Sequence, residues 1–413
     1  MILLTGGTGF LGREILARLL YQRPFERIGL LIRPSGQHSA ESRARSLLSE
    51  IFTPEEAGVL MRRIEVVQGD VAEEAFGLGS TEFTALAERT HEIFHCAATT
   101  TLNHDLENAR RINVGGTQQV LRLSEGASRS FGHNFKLFYV STAYVAGSRK
   151  GIVRADELSV EGPFRNAYER SKAEAEAMVR SAQGALPICI FRPSIIVGDS
   201  VTGQTSAFNV IYVPAKLMVK GLLSRFPGCP NAPFDLVPVD YAADAIVFLS
   251  GAENFAGACY HISSGVGREP SLWEIIEILF ATFNEQRKRG RSLLNLPQLI
   301  TPDMMSLAQS SLSAAKSSVK VIEKLVGESI NSFRQTMPFI PYMLGNPQFD
   351  NCETLRAIGS ALPHPPVFRS YAERLFQYCL DTNWGKIPWT NPRNFSVWRE
   401  RVELSGTAHL HSA

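Results

Sequence analysis

Short apolar runs alternate with segments of helical periodicity through the first 140 residues of the chain. Residues 2–4 form the first apolar run, and apolar side chains then recur at helical spacing from Phe10 to Leu20. Further runs of strand length cover 27–33, 64–70, 92–98, 136–140 and 187–192, with helical segments at 39–50, 83–89 and 106–126. Strands that alternate with helices are typical of a parallel sheet covered on both faces. The pattern predicts an α/β fold, a Rossmann-type doubly wound parallel sheet.

A glycine-rich turn separates the first predicted strand from the first predicted helix. Gly6, Gly9 and Gly12 form a Gly-x-x-Gly-x-x-Gly pattern, and residues 5–9 contain nothing bulky. Such a turn lets backbone N–H groups approach a pyrophosphate closely at the positive end of a helix. The stretch predicts a dinucleotide site, with a plain tight turn as the alternative. Its candidate cofactor-binding residues are Thr5, Gly6, Thr8, Gly9, Phe10, Leu11 and Gly12.

The second predicted strand ends in a cation. An acidic residue at this point of a dinucleotide fold holds the 2′-hydroxyl of NAD, whereas the Arg33 found here suits a 2′-phosphate. Arg43 or Arg45, in the helical segment that follows, is either a second cation for that phosphate or a solvated helix charge. We therefore predict NADP(H) as the cofactor.

Polar or small residues also follow the next strands. Asp70 either reaches the adenine edge or caps the next helix. The strand at 92–98 ends in small residues, Ala97 and Ala98, which allow the cofactor to pass close to the backbone. Asn113 either ties strand ends together or is a polar surface residue.

A tyrosine and a lysine four residues apart lie on a predicted helix near residue 170. At this spacing Tyr168 and Lys172 share one helix face. A tyrosine pKa is ordinarily about 10, and a nearby ammonium favours the phenolate and lowers that pKa. With a hydroxyl from the preceding strand end, the pair predicts hydride transfer to a carbonyl, with Tyr168 giving the proton. Lys172 would also anchor the nicotinamide ribose; a surface helix pair is the alternative.

Composition narrows the functional class. The net charge of +2 argues against a nucleic-acid partner. The six cysteines are scattered without metal-ligand spacing, which predicts reduced thiols and no metal site. No apolar stretch reaches transmembrane length, since the best one, 210–223, contains Lys216 and Lys220. No signal peptide is expected before the first strand, so we predict a cytoplasmic location. The sequence indicates no oligomeric state.

These segments together resemble an extended short-chain dehydrogenase/reductase over residues 1–265. The matching segments are Thr5-Gly-Gly-Thr-Gly-Phe-Leu-Gly12, Gly69-Asp70-Val71, His95-Cys-Ala-Ala98, Asn113-Val-Gly-Gly-Thr117, Tyr139-Val-Ser-Thr-Ala-Tyr-Val145, Tyr168–Lys172 and Phe191-Arg-Pro-Ser194. Within that superfamily the chain is most similar to the fatty acyl-CoA reductases and to the thioester-reductase domains of carrier-protein-linked assembly lines. The markers are Val140-Ser-Thr-Ala-Tyr144, Leu31-Ile-Arg33 and residues 236–246.

The resemblance implies a role for individual residues. It assigns Thr142 as the catalytic hydroxyl, Tyr168 as the acid and Lys172 as its partner, and Ser141 would either face away or support Thr142. Beside the cofactor it implies Val71 and the segment Pro193, Ser194 and Ile195, of which Pro193 and Ser194 would bracket the nicotinamide amide.

The function that the resemblance implies is an NADPH-dependent reductase of an acyl thioester on CoA or a carrier protein. The product would be an aldehyde or, after a second hydride transfer, an alcohol. One alternative is an extended dehydrogenase that acts on a sterol-like, small carbonyl/alcohol or nucleotide-sugar substrate. Another is a non-catalytic NADP-binding scaffold.

Beyond residue 200 the pattern becomes mainly helical. Helices are predicted over 273–283, 306–326 and 367–378. The segment 201–233 is either a loop and helix packed on the core or part of an entrance for the acyl group or the carrier arm. We predict an NADP-binding domain (1–200, with 235–265 returning to it), a mainly helical substrate-binding domain (201–234 and 266–400) and a flexible tail (401–413). Candidates for an apolar acyl pocket, or for ordinary core, are Met304, Met305, Phe333, Met337, Phe339, Tyr342 and Met343.

Overall fold

The structure is a computed structural model that describes residues 1–208, 210–287, 293–302 and 336–387. The strands within these ranges are β1 (Ile2–Thr5), β2 (Ile28–Ile32), β3 (Ile64–Gln68), β4 (Glu92–His95), β5 (Lys136–Val140), β6 (Ile152–Val153), β7 (Ile188–Pro193), β8 (Ile195–Val197), β9 (Arg225–Pro227), β10 (Leu236–Pro238), β11 (Cys259–Ile262), β12 (Gln298–Ile300) and β13 (Gln348–Phe349). The α-helices are α1 (Phe10–Gln22), α2 (Ala40–Ile51), α3 (Pro54–Leu60), α4 (Ser80–Arg89), α5 (Leu106–Arg110), α6 (Gly116–Phe131), α7 (Ala167–Ala182), α8 (Tyr212–Val219), α9 (Val239–Ser250), α10 (Leu272–Arg287), α11 (Ile340–Leu344), α12 (Cys352–Ile358) and α13 (Ala372–Asp381).

Seven strands form one parallel sheet in the order β11-β7-β5-β4-β1-β2-β3. The interior strand β1 pairs with β2 on one side and with β4 on the other, and its apolar residues are fully buried. The chain thus winds from β1 towards one edge and then, from β4, towards the other edge. Open α/β sheets bind ligands at the carboxyl ends of the strands at such a reversal. The predicted fold class is confirmed.

Helices cover both faces of the sheet. One face packs against α1, α2 and α9, with Leu16, Leu48 and Ile246 in its core. The other face packs against α4, α6 and α7, with Leu123 and Val179 in its core. Because the strands are covered on both faces, they read in the sequence as continuous apolar runs.

A third apolar cluster lies beyond the carboxyl ends of the strands. It joins the turn after β5 to α8, α10 and α13, with Tyr144, Met218, Ile276 and Phe376 among its members. Three short parallel pairs also lie in this part of the chain: β6 with β13, β8 with β10, and β9 with β12. The sequence did not predict them, because strands of two or three residues show no alternating pattern.

The predicted helix at 273–283 is α10, and the one at 367–378 is a 3₁₀ turn, Phe368–Ser370, followed by α13. The predicted helix at 306–326 and the tail at 401–413 lie outside the described residues. The domain boundaries stay a prediction. Within the described ranges, no helix combines the length and the apolar character that a bilayer crossing requires.

Candidate active site

The glycine turn after β1 is closely packed and leaves the start of α1 open. A Cβ on Gly12 would lie 2.0 Å from the Gly6 carbonyl oxygen, and one on Gly6, at φ +73°, would lie 2.6 Å from the Ala97 nitrogen. Gly9 begins α1 without a side-chain cap, and the first turn of this helix has no acidic residue. Its free N–H groups and positive dipole end therefore fit a pyrophosphate.

Cations gather at the carboxyl end of β2. Arg33 forms an ion pair with Asp70 at 3.3 Å, and Arg43 donates a hydrogen bond to the Arg33 carbonyl oxygen. Asp70 also accepts from the Ala72 N–H at 3.0 Å, so it orders the turn after β3. Arg45 is exposed on α2. Of the two candidates for a second cation, Arg43 is therefore the one beside Arg33.

Asn113 connects two loops at the carboxyl edge of the sheet. It lies in a π turn, Arg111–Gly115, between α5 and α6. Its amide oxygen accepts from the Thr99 N–H at 2.8 Å, and its amide nitrogen donates to the Ser171 hydroxyl at 2.9 Å. Asn113 is buried and ties the loop after β4 to the helix that carries Tyr168, rather than one strand end to another.

Thr142, Tyr168 and Lys172 come together at this same edge. Thr142 follows β5, and its hydroxyl, which donates to the Pro193 carbonyl at 3.4 Å, lies beside Tyr168 in the first turn of α7. The Asn166 side chain caps this helix by accepting from the Glu169 N–H at 3.0 Å. The Ser141 hydroxyl points the other way and donates to Glu176 at 2.6 Å. Both residues line the cavity, but the Ser141 hydroxyl is used inside the protein, and the catalytic role of Thr142 stays a prediction.

The electrostatics of Tyr168 differ from the sequence expectation. Burial raises the pKa of Tyr168 to about 12, although the adjacent Thr142 hydroxyl lowers that pKa. Burial lowers the pKa of Lys172 to about 8. The Lys172 ammonium donates to the Tyr139 hydroxyl at 3.1 Å and to the Val140 carbonyl at 2.8 Å. The expected lowering of the Tyr168 pKa by Lys172 is therefore wrong for this structure, because desolvation dominates.

A cavity of about 530 Å³ opens above these groups. The predicted site residues that line it are Gly6, Thr8, Gly9, Phe10, Leu11, Gly12, Ala98, Thr142, Tyr168, Lys172, Pro193, Ser194 and Ile195. Behind its wall lie Thr5, Ala97 and Asn113, which make hydrogen bonds at strand ends. Arg33, Arg43, Asp70 and Val71 lie away from the wall, at the ends of β2 and β3.

Several lining residues were not predicted. They are Arg13, Cys96, Thr100, Leu102, Val140, Ser141, Tyr144, Ile196, Val197, Ser206, Ala207, Val210, Ile211 and Tyr212. Arg13 directly follows the glycine turn and Tyr144 lies two residues after Thr142, so their position relative to a known motif was the available signal. Tyr342, a candidate for the apolar acyl pocket, lines the cavity from a distant segment of the chain.

An apolar pocket adjoins the cavity, since Val210 and Ile211 line both. The other lining residues are Pro214, Ala215, Met218, Phe234, Leu272, Ile275, Ile276, Leu279, Phe339 and Met343. The segment 201–233 therefore both packs on the core and lines the cavity. Among the predicted acyl-pocket candidates, Phe339 and Met343 line this pocket, Tyr342 lines the cavity and Met337 is exposed. Met304, Met305 and Phe333 lie outside the described residues.

Comparison with known proteins identifies the family of the chain. Residues 4–246 match the NAD-binding family described as male sterility protein. The chain belongs to this family. This membership confirms the predicted resemblance. Because the family is an NAD-binding one, it also supports a nicotinamide cofactor for this chain.

Proteins similar to this chain include a nonribosomal peptide synthetase and a fatty acyl-CoA reductase. A nonribosomal peptide synthetase, asaC, from Aspergillus flavus is 29% identical over 63% of the chain and 26% of its own length. Fatty acyl-CoA reductase 1 of Gallus gallus is 29% identical over 67% of the chain and 60% of its own length. The chain thus spans about a quarter of the first relative and three fifths of the second.

Among solved structures, the terminal R domain from the myxalamid PKS-NRPS pathway has 28% identity and a TM-score of 0.70. That comparison covers 94% of this chain and 92% of the R domain. The Gallus gallus relative and this R domain are reductases, the class of enzyme that the sequence predicts.

Proposed function

We propose that the chain is an NADPH-dependent reductase that converts an acyl thioester, carried on CoA or a carrier protein, to an aldehyde. The observation that carries the proposal is the meeting of Thr142, Tyr168 and Lys172 at one cavity, which the glycine turn lines at one end and an apolar pocket adjoins at the other. The likeness to fatty acyl-CoA reductases and to an R domain supports the thioester as substrate.

Residues of this chain fit the cofactor. The open N–H groups at the start of α1 would hold the pyrophosphate, and Arg33 with Arg43 would hold a 2′-phosphate. Lys172 would hold the nicotinamide ribose, and Pro193 and Ser194 would bracket the amide. When bound, the reduced cofactor supplies a hydride.

The roles of the polar groups follow from their protonation. Tyr168, with its raised pKa, stays protonated near neutral pH and donates its proton to the carbonyl oxygen as negative charge develops there. The Thr142 hydroxyl holds that oxygen by a second hydrogen bond. Hydride addition at the thioester carbon and proton transfer from Tyr168 to the oxygen give a hemithioacetal. Its C–S bond then breaks, so that aldehyde and free thiol leave.

The substrate side of the cavity suits the apolar end of an acyl group. The pocket behind Val210 and Ile211 is lined almost wholly by aliphatic and aromatic carbon, and its volume is about 20 Å³. It therefore has room for a group of about methyl size, whose burial contributes about 0.8 kcal/mol of binding energy remote from the reacting carbon. Binding energy of this kind can be used to align the carbonyl for reaction.

The direct experiment is an assay of the purified protein with NADPH and a panel of acyl-CoA and acyl-carrier thioesters. Consumption of NADPH is followed by absorbance, and released thiol is followed with a thiol reagent. We expect the two to rise together on at least one thioester, with aldehyde as product. Absence of coupled thiol release on every member of the panel would exclude the proposed activity, and the same assay with simple aldehydes and ketones would test the alternative dehydrogenase function.

A further inference from the structure

A buried chain of polar side chains leads from Lys172 back to the glycine turn. The Lys172 ammonium donates to the Tyr139 hydroxyl at 3.1 Å, and the Thr117 side chain lies beside Tyr139. Thr117 Oγ1 lies 3.3 Å from His95 Nε2, and His95 Nδ1 lies 2.7 Å from Thr5 Oγ1. The chain crosses β5, α6, β4 and β1, and all five side chains are at most 2% exposed.

The direction of each hydrogen bond follows from the two ends. The Thr117 hydroxyl donates to the Asn113 carbonyl at 2.6 Å, so its oxygen is left to accept from the His95 Nε2–H. His95 then carries its proton on Nε2, and its Nδ1 accepts from the Thr5 hydroxyl. The Thr5 oxygen in turn accepts from the Ala97 N–H at 3.3 Å. Every donor in the chain thus faces an acceptor.

This arrangement needs a neutral His95. A second ring proton would turn Nδ1 into a donor and oppose the Thr5 hydroxyl. Burial, with the charge of Lys172, lowers the pKa of His95 to about 3, so His95 stays neutral throughout the working pH range. The chain therefore keeps one arrangement while Lys172 itself titrates.

We propose that Tyr139, held by Thr117, His95 and Thr5, is the positioning residue for Lys172, so that one buried chain fixes the lysine relative to the pyrophosphate turn. The proposal rests on the proposed role of Lys172 at the ribose. Tyr139 acts in two ways, since its hydroxyl accepts from the ammonium and its ring centroid lies 4.5 Å from Nζ. Removal of the hydroxyl alone separates the two contributions.

Other titratable groups also surround Lys172. Cys96 and His95 face it from β4, and Tyr168 and Glu176 lie on its own helix. Burial raises the pKa of Cys96 to about 12, and Tyr168 titrates in the same range. Glu176 has a lowered pKa and stays charged. Between pH 6 and 9.5, Lys172 is therefore the member of this group that changes charge.

The test is the pH dependence of NADPH affinity, measured by cofactor fluorescence from pH 6 to 9.5. In the wild type we expect affinity to fall as Lys172 loses its proton, with a midpoint near its pKa of about 8. Tyr139→Phe keeps the ring but removes an acceptor from the ammonium, so the midpoint should move by about one pH unit to lower pH. The matched control is Tyr371→Phe, which removes a buried hydroxyl that donates to the Leu236 carbonyl outside the cavity. It should leave the midpoint unchanged.

A second pair of variants tests the rest of the chain and covers the case in which Tyr139→Phe does not fold. Thr117→Val removes the hydroxyl beside Tyr139 and His95, whereas Thr117→Ser keeps it. Thr117→Val should move the midpoint in the same direction by a smaller amount, and Thr117→Ser should restore the wild-type value. Equal midpoints for the folded variants and their controls would overturn the proposal. These measurements need no turnover, so they decide the role of Tyr139 even if no thioester is reduced.

Discussion

Two polar clusters lie one turn apart on helix α7, and they differ in where their hydrogen bonds end. The first, Thr142 with Tyr168 and Lys172, faces the cavity. The second cluster joins Glu176 to Ser141, Arg180 and Arg192 inside the protein. Arg192 and Glu176 are fully buried, and a guanidinium nitrogen of Arg192 lies 2.6 Å from a carboxylate oxygen of Glu176. Both clusters are buried and charged. What separates a site for chemistry from a structural ion pair is therefore the opening onto a cavity.

Their pKa shifts differ accordingly. At Glu176 burial favours the neutral form, but the charges and hydrogen bonds of Arg192 and Arg180 outweigh it, so the pKa of Glu176 is lowered. At Lys172 burial dominates and the pKa of the ammonium is lowered to about 8. In the structural cluster, the charges of the arginines thus outweigh the effect of burial on the pKa of Glu176. In the cavity cluster, the effect of burial on the pKa of Lys172 dominates, so Lys172 can lose its proton at accessible pH.

The largest effect is expected from Tyr168→Phe. Loss of the proton donor should reduce thioester turnover by about 10²–10⁴-fold. NADPH affinity and the free energy of unfolding should stay close to wild type, because the ring and its packing remain. Turnover, fluorescence titration and urea unfolding measure the three quantities. Full turnover in a folded Tyr168→Phe variant would show that the proton comes from another group.

The converse variant is Glu176→Gln in the structural cluster. It leaves the charge of Arg192 buried with a neutral partner, and the loss of one member of a buried pair costs about 3–5 kcal/mol of unfolding free energy. Urea unfolding gives this value. The matched control is Glu174→Gln on the same helix, whose ion pairs with Arg110 and Arg170 lie at the surface. It should cost at most about 1 kcal/mol. Equal losses in both variants would remove the distinction between the clusters.

Acid unfolding tests the ion pair between Glu176 and Arg192, because the pKa shift of Glu176 sets the direction in which stability changes with pH. Because the pKa of Glu176 is lowered in the folded state, the carboxylate contributes stability above its unfolded pKa of about 4.3. That contribution is lost as the pH falls through the lower, folded value, since the unfolded chain binds the proton first. Glu176→Gln should therefore show a shallower loss of unfolding free energy below pH 4.5 than the wild type. An identical slope in the two proteins would contradict the assignment.

A cluster can be predicted from the sequence when its residues lie close together along the chain. Tyr168, Lys172 and the glycine turn are local patterns, so spacing alone indicates them. The role of Thr142 depends on which of two adjacent hydroxyls faces the cavity, and only the resemblance predicted it. Tyr139 reads as an ordinary core residue of an apolar strand. Its function depends on Thr117 and His95, which pairing of β4 with β5 and packing of α6 bring to it.

The substrate side was less predictable for the same reason. The cavity wall combines residues 206–207 and 210–212 with Tyr144 and Tyr342, whose separation in sequence exceeds any local pattern. Tyr342 reaches the site because its hydroxyl donates to Glu169 at 2.7 Å and accepts from Asn166 at 2.8 Å. Contacts between residues so far apart in the chain produce no regular spacing in the sequence. The strands of the sheet, in contrast, produce recognisable apolar runs.

The adjacent residues Ser141 and Thr142 sharpen the comparison further, because each belongs to a different cluster. Thr142→Ala should lower turnover by about 10²-fold through loss of a hydrogen bond to the developing oxyanion, with little change in stability. Ser141→Ala removes a hydrogen bond to a charged group and should cost about 2 kcal/mol of unfolding free energy, with turnover of the folded fraction retained. Turnover and urea unfolding, measured on both variants, test which of the two hydroxyls belongs to the site. The reverse pattern would assign Ser141 to the site instead.

The smallest effect is expected at an exposed pair that extends the comparison to the edge of the sheet. Arg33 and Asp70 form an ion pair whose arginine side chain is 65% exposed, so the pair contributes little to folding and its cation is accessible to a phosphate. Arg33→Gln should weaken NADPH binding by about tenfold, leave NADH binding unchanged and leave urea unfolding unaltered. Arg45→Gln, at an exposed position on α2, serves as the control for loss of one charge. Because the interaction is exposed, the preference of the wild type for NADPH should also decline as salt is raised. Equal weakening of NADPH and NADH by Arg33→Gln would mean that the arginine acts on a part common to both cofactors rather than on the 2′-phosphate.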